Sequence, residues 1–289
     1  MSSGLNIAAL ARRTGIAPDT LRKWEQRYGI LRPTRTGGGQ RRYGEHDVDR
    51  VVWLKARLAE GYRIGEAADL LGVEALETGT SPQQLARLTF EAALRSDSTA
   101  VNRLLDHGFA LEITVACAEI VQPLLVSVGE AWHAGRMTIA QEHLVSSAVR
   151  ARLERKLAEV RAPVHGRAVL ACAPDERHEL GLLMLAVALR ADGWEVAYLG
   201  PDLPVPDAVA LARDSGATLL CFSVSTSAAA DSLEAGLRGT VRPPGARLLI
   251  GGLAANQLLA RRVGASHLAG DLPTVVEALR AGAPAASVG

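Results

Sequence analysis

The chain has 289 residues, a formal net charge of +1 and 48% hydrophobic residues, which is enough for two or three domains with cores of their own. No run reaches the roughly 18 uncharged residues of a membrane span, and no basic-then-apolar leader opens the chain. A cytoplasmic protein with no membrane partner is therefore expected. Cys117, Cys172 and Cys221 stand apart in apolar contexts, which argues against a structural zinc site, a redox pair or a disulfide. The charge is uneven: residues 1–75 hold 13 Lys/Arg against 9 Asp/Glu, many of the basic ones clustered, so a local anionic partner is expected there.

In "LNIAALARRTGIAPDTLRKWEQRYGIL" two short helical patterns flank "TGIAPDT". Ile7, Leu10 and Ala11 give the first an apolar face, and Leu21, Trp24 and Tyr28 give one to the second. Gly15 suits the turn, and Pro18 with Asp19 suits the second helix start. This is helix-turn-helix grammar. A recognition helix would expose Thr20, Arg22, Lys23 and Arg27 to phosphates or base edges, although a solvated basic helix has the same pattern. Arg35 and a glycine run then precede Gln40, Arg41, Arg42 and Tyr43, as in a basic hairpin wing. The glycine run lacks a preceding strand and a Gly-Lys-Ser/Thr ending, so a phosphate loop is not expected. Val48 to Leu58, with Val51, Val52, Leu54 and Leu58 apolar, reads as a helix behind the wing.

The run "IAALARRTGIAPDTLRKWEQRYGI", followed by "P-x-R-x-x-G-G" and "RRY", resembles the MerR family of winged-helix DNA-binding regulators over about the first 70 residues. The resemblance implies a DNA-binding unit over 1–75, a dimer, and a pseudo-palindromic operator.

From residue 165 to 289 short apolar runs, "AVLACAP", "EVAYLG", "TLLCFSV" and "RLLIGG", alternate with helical patterns. The order predicts a doubly wound, flavodoxin-like parallel sheet whose ligands bind beyond the strands' carboxyl ends. After the first strand, "PDERHELG" places His178 beside Glu176 and ahead of Gly181. A lone loop histidine is commonly a surface residue. Here a carboxylate two residues away can hold Nδ1 and leave Nε2 free for a metal, and Gly181 permits close approach to the backbone. "SVSTS" after the third strand and Gly251-Gly252 after the fourth could line a slot, or be ordinary caps and turns.

Together, E-x-H-x-x-G, Ser223 and the glycine pair resemble the cobalamin-binding domain of cobalamin-dependent methyltransferases and mutases. That resemblance implies His178 as the lower cobalt ligand, with Ser223, Ser225, Gly251 and Gly252 around the nucleotide tail. Two departures stand out: Glu176 where the family commonly has Asp, with Asp175 just before it, and Ser223-Val224-Ser225 where it has S-x-L.

Residues 82–161 read as four helices broken at "RSDSTA", "DHGFAL" and "HAGRMT", an antiparallel bundle with Asp97 and Thr138 as candidate caps. Trp132 would end the third helix, and Glu142 and His143 would open the fourth. Taken alone, Trp132 could be core and Glu142-His143 a solvated pair. Trp132 and, after nine residues, Glu142-His143 resemble the signature of the CarH group of MerR-type photoreceptors, which use adenosylcobalamin, and this extends the likeness to all three parts in order.

The resemblance implies that Trp132 packs on the adenosyl group, Glu142 hydrogen-bonds it, His143 shapes that face, and His133 takes the upper cobalt position after light removes the adenosyl group. It further implies a repressor, not an enzyme, that assembles into a tetramer on operator DNA in the dark and is released by light. Two alternatives are a MerR-type ligand sensor without a light response and a cobalamin-dependent methyltransferase or mutase component. The DNA-binding unit and the absence of a catalytic barrel in the sequence argue against the enzyme.

Overall fold

The computed structural model describes residues 4–31, 33–35, 39–68, 80–159 and 162–282, with the backbone alone for Arg35 and His46. The chain divides into two compact units, Met1–Thr80 and Ser81–Gly289.

In the first unit, α1 (Ile7–Thr14) is capped by Asn6, whose side chain accepts from the Ala9 amide at 2.8 Å. It ends at Gly15, φ +74°, the left-handed value that lets the chain turn sharply. Pro18 then opens α2 (Pro18–Tyr28). A two-stranded antiparallel wing follows, β1 (Thr34–Arg35) and β2 (Arg41–Arg42), and then α3 (Glu45–Ala59). Leu10, Leu21, Trp24, Tyr43, Val51 and Leu54 are the centre of its core. Val52, expected on the apolar face of α3, is instead 53% exposed, because the helix buries the stripe through Val48, Val51 and Leu54.

The second unit opens with four helices: α4 (Pro82–Leu94), α5 (Ser98–Gly108), α6 (Ile113–His133) and α7 (Ile139–Leu157). Asp97 caps α5 and Thr138 caps α7 through their side chains. Within α6, residues Ala116–Val121 form a π-turn just ahead of Pro123, which has no N–H for the carbonyl four residues back. By length and composition α6 could cross a membrane; here it buries Ala116, Cys117, Ile120, Leu124 and Val128 in the bundle. Arg152 of α7 is 6% exposed, yet its guanidinium is saturated. It donates to Asp106, to both oxygens of Asn102 and to the Ala148 carbonyl, all within 3.1 Å.

The sheet consists of β3 (Arg167–Cys172), β4 (Glu195–Tyr198), β5 (Leu219–Ser223), β6 (Arg247–Gly251) and β7 (Ser266–His267). All are parallel, in the order β4-β3-β5-β6-β7, the flavodoxin-like arrangement. On one face lie α9 (Val205–Asp214), α10 (Ser227–Leu237) and α11 (Gln257–Val263). On the other lie α8 (Leu180–Ala191) and α12 (Leu272–Ala281), joined there by Leu157 of α7. The bundle and the sheet thus share a boundary. Strand order reverses between β3 and β5, so the crevice of this fold opens over their carboxyl ends.

Two substitutions test this packing. Arg152→Met removes the hydrogen bonds that join α7 to Asn102 and Asp106 of α5, both of them exposed enough to be hydrated, and should cost about 1 kcal/mol, read as a lower urea midpoint; an unchanged midpoint contradicts the assignment. Gly252→Ala should cost about 2 kcal/mol or more, because φ is +108° and a Cβ would lie 2.5 Å from the Val224 carbonyl oxygen. Wild-type stability in that variant would show that the turn relaxes freely.

Candidate functional site

The loop between β3 and α8 carries Glu176 and His178. Glu176 is fully buried, whereas the His178 side chain is 74% exposed. One carboxylate oxygen accepts both the backbone N–H and the Nδ1–H of His178, each at 2.7 Å. The other accepts the Ser225 amide from beyond β5. Burial alone would push the Glu176 carboxyl up, but these donors outweigh it and hold it below the usual carboxylate range. An anionic acceptor on Nδ1 places the proton there and leaves the Nε2 lone pair directed outward.

The loop is clasped from outside as well. Asp175, φ +66°, and Asp202, φ +53°, are non-glycine residues in the left-handed region. The Asp175 amide donates to the Asp202 carboxylate at 2.9 Å, and the Asp202 amide donates to the Glu176 carbonyl at 3.0 Å. Ser232 of α10 donates to the Asp175 carboxylate at 2.7 Å. Strain of this kind persists only where the surroundings over-determine the backbone.

Beside this loop the strand ends lie in register: Cys172 pairs with Ser223, and Ser223 with Gly251. Ser223 is 6% exposed. A Cβ at Gly181 would meet nothing within 4 Å, so the space directly beside that backbone is open. Burial, with Glu176 adding to it, pushes the Cys172 thiol up to about 12, which keeps it a neutral thiol in the core between the sheet and α8.

In the bundle, Trp132 and His133 end α6. The Trp132 side chain is 45% exposed and meets the His133 ring edge-on with centroids 4.7 Å apart. His133 Nδ1 lies 2.8 Å from the Gly129 carbonyl oxygen. A carbonyl only accepts, so Nδ1 carries the proton and Nε2 is free, as in His178. Glu142 sits in the first turn of α7, with one oxygen 2.5 Å from His143 Nδ1.

In the first unit, Arg22, Lys23 and Arg27 are exposed on α2 and Thr20 is partly exposed; Arg22 is paired with Asp19 at 2.9 Å. Gln40 and Arg41 are exposed and Arg42 partly so. The Arg35 side chain lies outside the described residues. Tyr43, expected on the DNA face, is 1% exposed and donates its hydroxyl to Glu25 at 2.8 Å. That position is corrected: the ring belongs to the core, and burial with the Glu25 carboxylate pushes the phenol up to about 12. Glu25 also accepts from Arg41 Nε at 2.8 Å, which ties α2 to the wing. Sequence reading missed this role, because a Glu on a basic helix looks like a solvated charge.

Among the described residues no group of three His, Cys, Asp or Glu side chains could cage a bare metal ion. A metal already held in an organic ring requires less: one outward imidazole with a fixed tautomer, open backbone beside it, and a crevice for a tail. Glu176 and His178 supply the first and Gly181 the second, and the ends of β5 and β6 lie at the strand-order reversal, where ligands of this fold bind.

The chain matches the family described as MerR HTH family regulatory protein over residues 5–75, and two families each described as B12 binding domain over 85–155 and 166–280. It is 42% identical over 217 residues to the HTH-type transcriptional repressor CarH of Myxococcus xanthus, covering 70% of this chain and 72% of that protein. It is 33% identical to the repressor CarA of the same organism over 222 residues, covering 72% of this chain and 75% of that one. These relatives are regulators, not enzymes. The fold is also that of the Methanosarcina barkeri monomethylamine corrinoid protein, with a TM-score of 0.54 at 17% identity, covering 69% of this chain and 98% of the other. A DNA-binding winged helix joined to a B12-binding bundle and sheet places this chain in the MerR-family transcriptional repressors of the CarH and CarA type.

Proposed function

We propose that this repressor is light-responsive: it binds adenosylcobalamin between bundle and sheet, assembles as a dimer of dimers on operator DNA in the dark, and is released by light. The observation that carries the reading is the presence, in one compact unit, of an anchored outward imidazole at His178 and an exposed Trp-His and Glu-His lid. When bound, the adenosyl form supplies a cobalt–carbon bond that light can break.

The residues divide the remaining work. His178, oriented by Glu176, would hold the cobalt through Nε2. Gly181 leaves room beside it, while Ser223, Ser225, Gly251 and Gly252 border the crevice for the nucleotide tail. The Ser225 side chain stands where the family commonly has an apolar one, and its amide is already committed to Glu176. Above, Trp132 offers a flat indole to the adenine, Glu142 accepts from the adenosyl hydroxyl and amino groups, and His143 orients Glu142. His133, with Nδ1 committed to the Gly129 carbonyl, would have Nε2 available as a second nitrogen able to hold the metal. A ligand that favours only the lid-closed arrangement shifts the population towards assembly, and losing its upper half removes that preference. Operator affinity then falls because linked recognition units lose avidity.

His178→Ala should weaken cobalamin retention and abolish the absorbance signature of an imidazole-ligated cobalt; an unchanged bound spectrum would sink its ligand role. Trp132→Ala should bind cobalamin yet assemble poorly in the dark, and normal dark tetramers would reduce Trp132 to a packing residue. Arg22→Ala or Arg42→Ala should weaken operator binding and lower the salt slope by about one unit per lost phosphate contact, with the cofactor spectrum unchanged. Full operator affinity at moderate salt contradicts that placement of the DNA face.

A further inference from the structure

Glu179 directly follows His178 and stands at the N-cap of α8, yet its side chain makes no cap hydrogen bond. Its side chain is instead turned inward and is 5% exposed. The carboxylate pairs with the guanidinium of Arg150, from α7 of the bundle. It also accepts the hydroxyl of Tyr198, at the end of β4, at 2.6 Å. Burial pushes that phenol upward, with Cys172 and Glu154 of α7 adding to it and Arg150 opposing it. A buried carboxylate is costly unless a cation and a hydrogen bond balance it. Here the cation lies across the boundary between bundle and sheet, so separating the two elements would leave Glu179 buried and uncompensated.

The position on α7 gives this pair a geometric consequence. Arg150 is eight residues after Glu142 on one continuous helix, about 12 Å at the usual rise. Fixing Arg150 against the residue next to His178 therefore constrains how far Glu142 and His143, on the same helix, stand from the His178 loop. Arg152, two residues on, faces α5 and is saturated within the bundle, so it holds the bundle together without holding it to the sheet.

We propose that Arg150, Glu179 and Tyr198 form a latch that sets the spacing between the lid and the His178 loop and transmits lid movement to that loop. The three are positioning residues, and the inference deepens the function proposed above and rests on it.

The test is a double-mutant cycle in the full-length chain with Arg150→Met, Glu179→Gln and both together. In cofactor-free protein, amide exchange over residues 174–181 should quicken roughly tenfold in each single variant, the scale of one charge-assisted hydrogen bond. The double variant should be no worse than either single one. With adenosylcobalamin, the absorption spectrum should stay His-ligated while the protein concentration needed for dark assembly rises by a similar factor. Arg150→Lys should recover part of the loss.

Unchanged exchange in the loop, or additive effects in the double variant, would overturn the latch. If wild type fails to take up adenosylcobalamin, the functional reading falls while the cofactor-free exchange result still decides the latch. Should Arg150→Met fail to fold, Tyr198→Phe decides: a smaller acceleration in the same loop supports the latch, and none overturns it.

Discussion

The arrangement of the B12-binding unit depends on one buried carboxylate. Glu176 accepts the His178 amide, the His178 imidazole and the Ser225 amide, so a single ionised group joins the loop after β3 to the loop after β5 across the strand-order reversal. The dense donor set keeps it ionised despite burial, and ionisation is what places the His178 proton on Nδ1. Removing that charge would free the imidazole to rotate, unclip the two loops and open the crevice floor together.

The Asp-to-Glu departure is accommodated through this geometry. A side chain longer by one methylene reaches past the histidine to the Ser225 backbone. Asp175, immediately before it, turns the other way through a left-handed backbone to Asp202 and Ser232. The two adjacent carboxylates thus have separate partners, Glu176 in its own loop and the loop after β5 and Asp175 on α10, and Ser225 contributes through its main chain whatever its side chain does.

Much of the fold was legible in the sequence because it is written in short-range signals. Gly15, Pro18, Asp97 and Thr138 mark element ends through local sterics and caps, and the alternation of apolar runs with helical patterns gives the parallel sheet. The Glu176–His178 pair was legible for the same reason: its partners are two residues apart. What was not legible depends on contacts distant in sequence. Tyr43 looks like part of a basic wing until its hydroxyl is found on Glu25, 18 residues away. Arg150 and Glu179 are two unremarkable charges until α7 lies on α8. Val52 looks like core until the helix phase is fixed by its neighbours. The Nε2-free tautomer of His133 rests on a backbone carbonyl, which has no residue type to read.

The most direct test of the central claim is the mass of the full-length protein loaded with adenosylcobalamin in the dark, measured with its absorption spectrum before and after green light. The account predicts a dark tetramer that dissociates as the spectrum changes. A spectrum that changes while the mass stays constant would contradict it and leave a B12-binding repressor that light does not control.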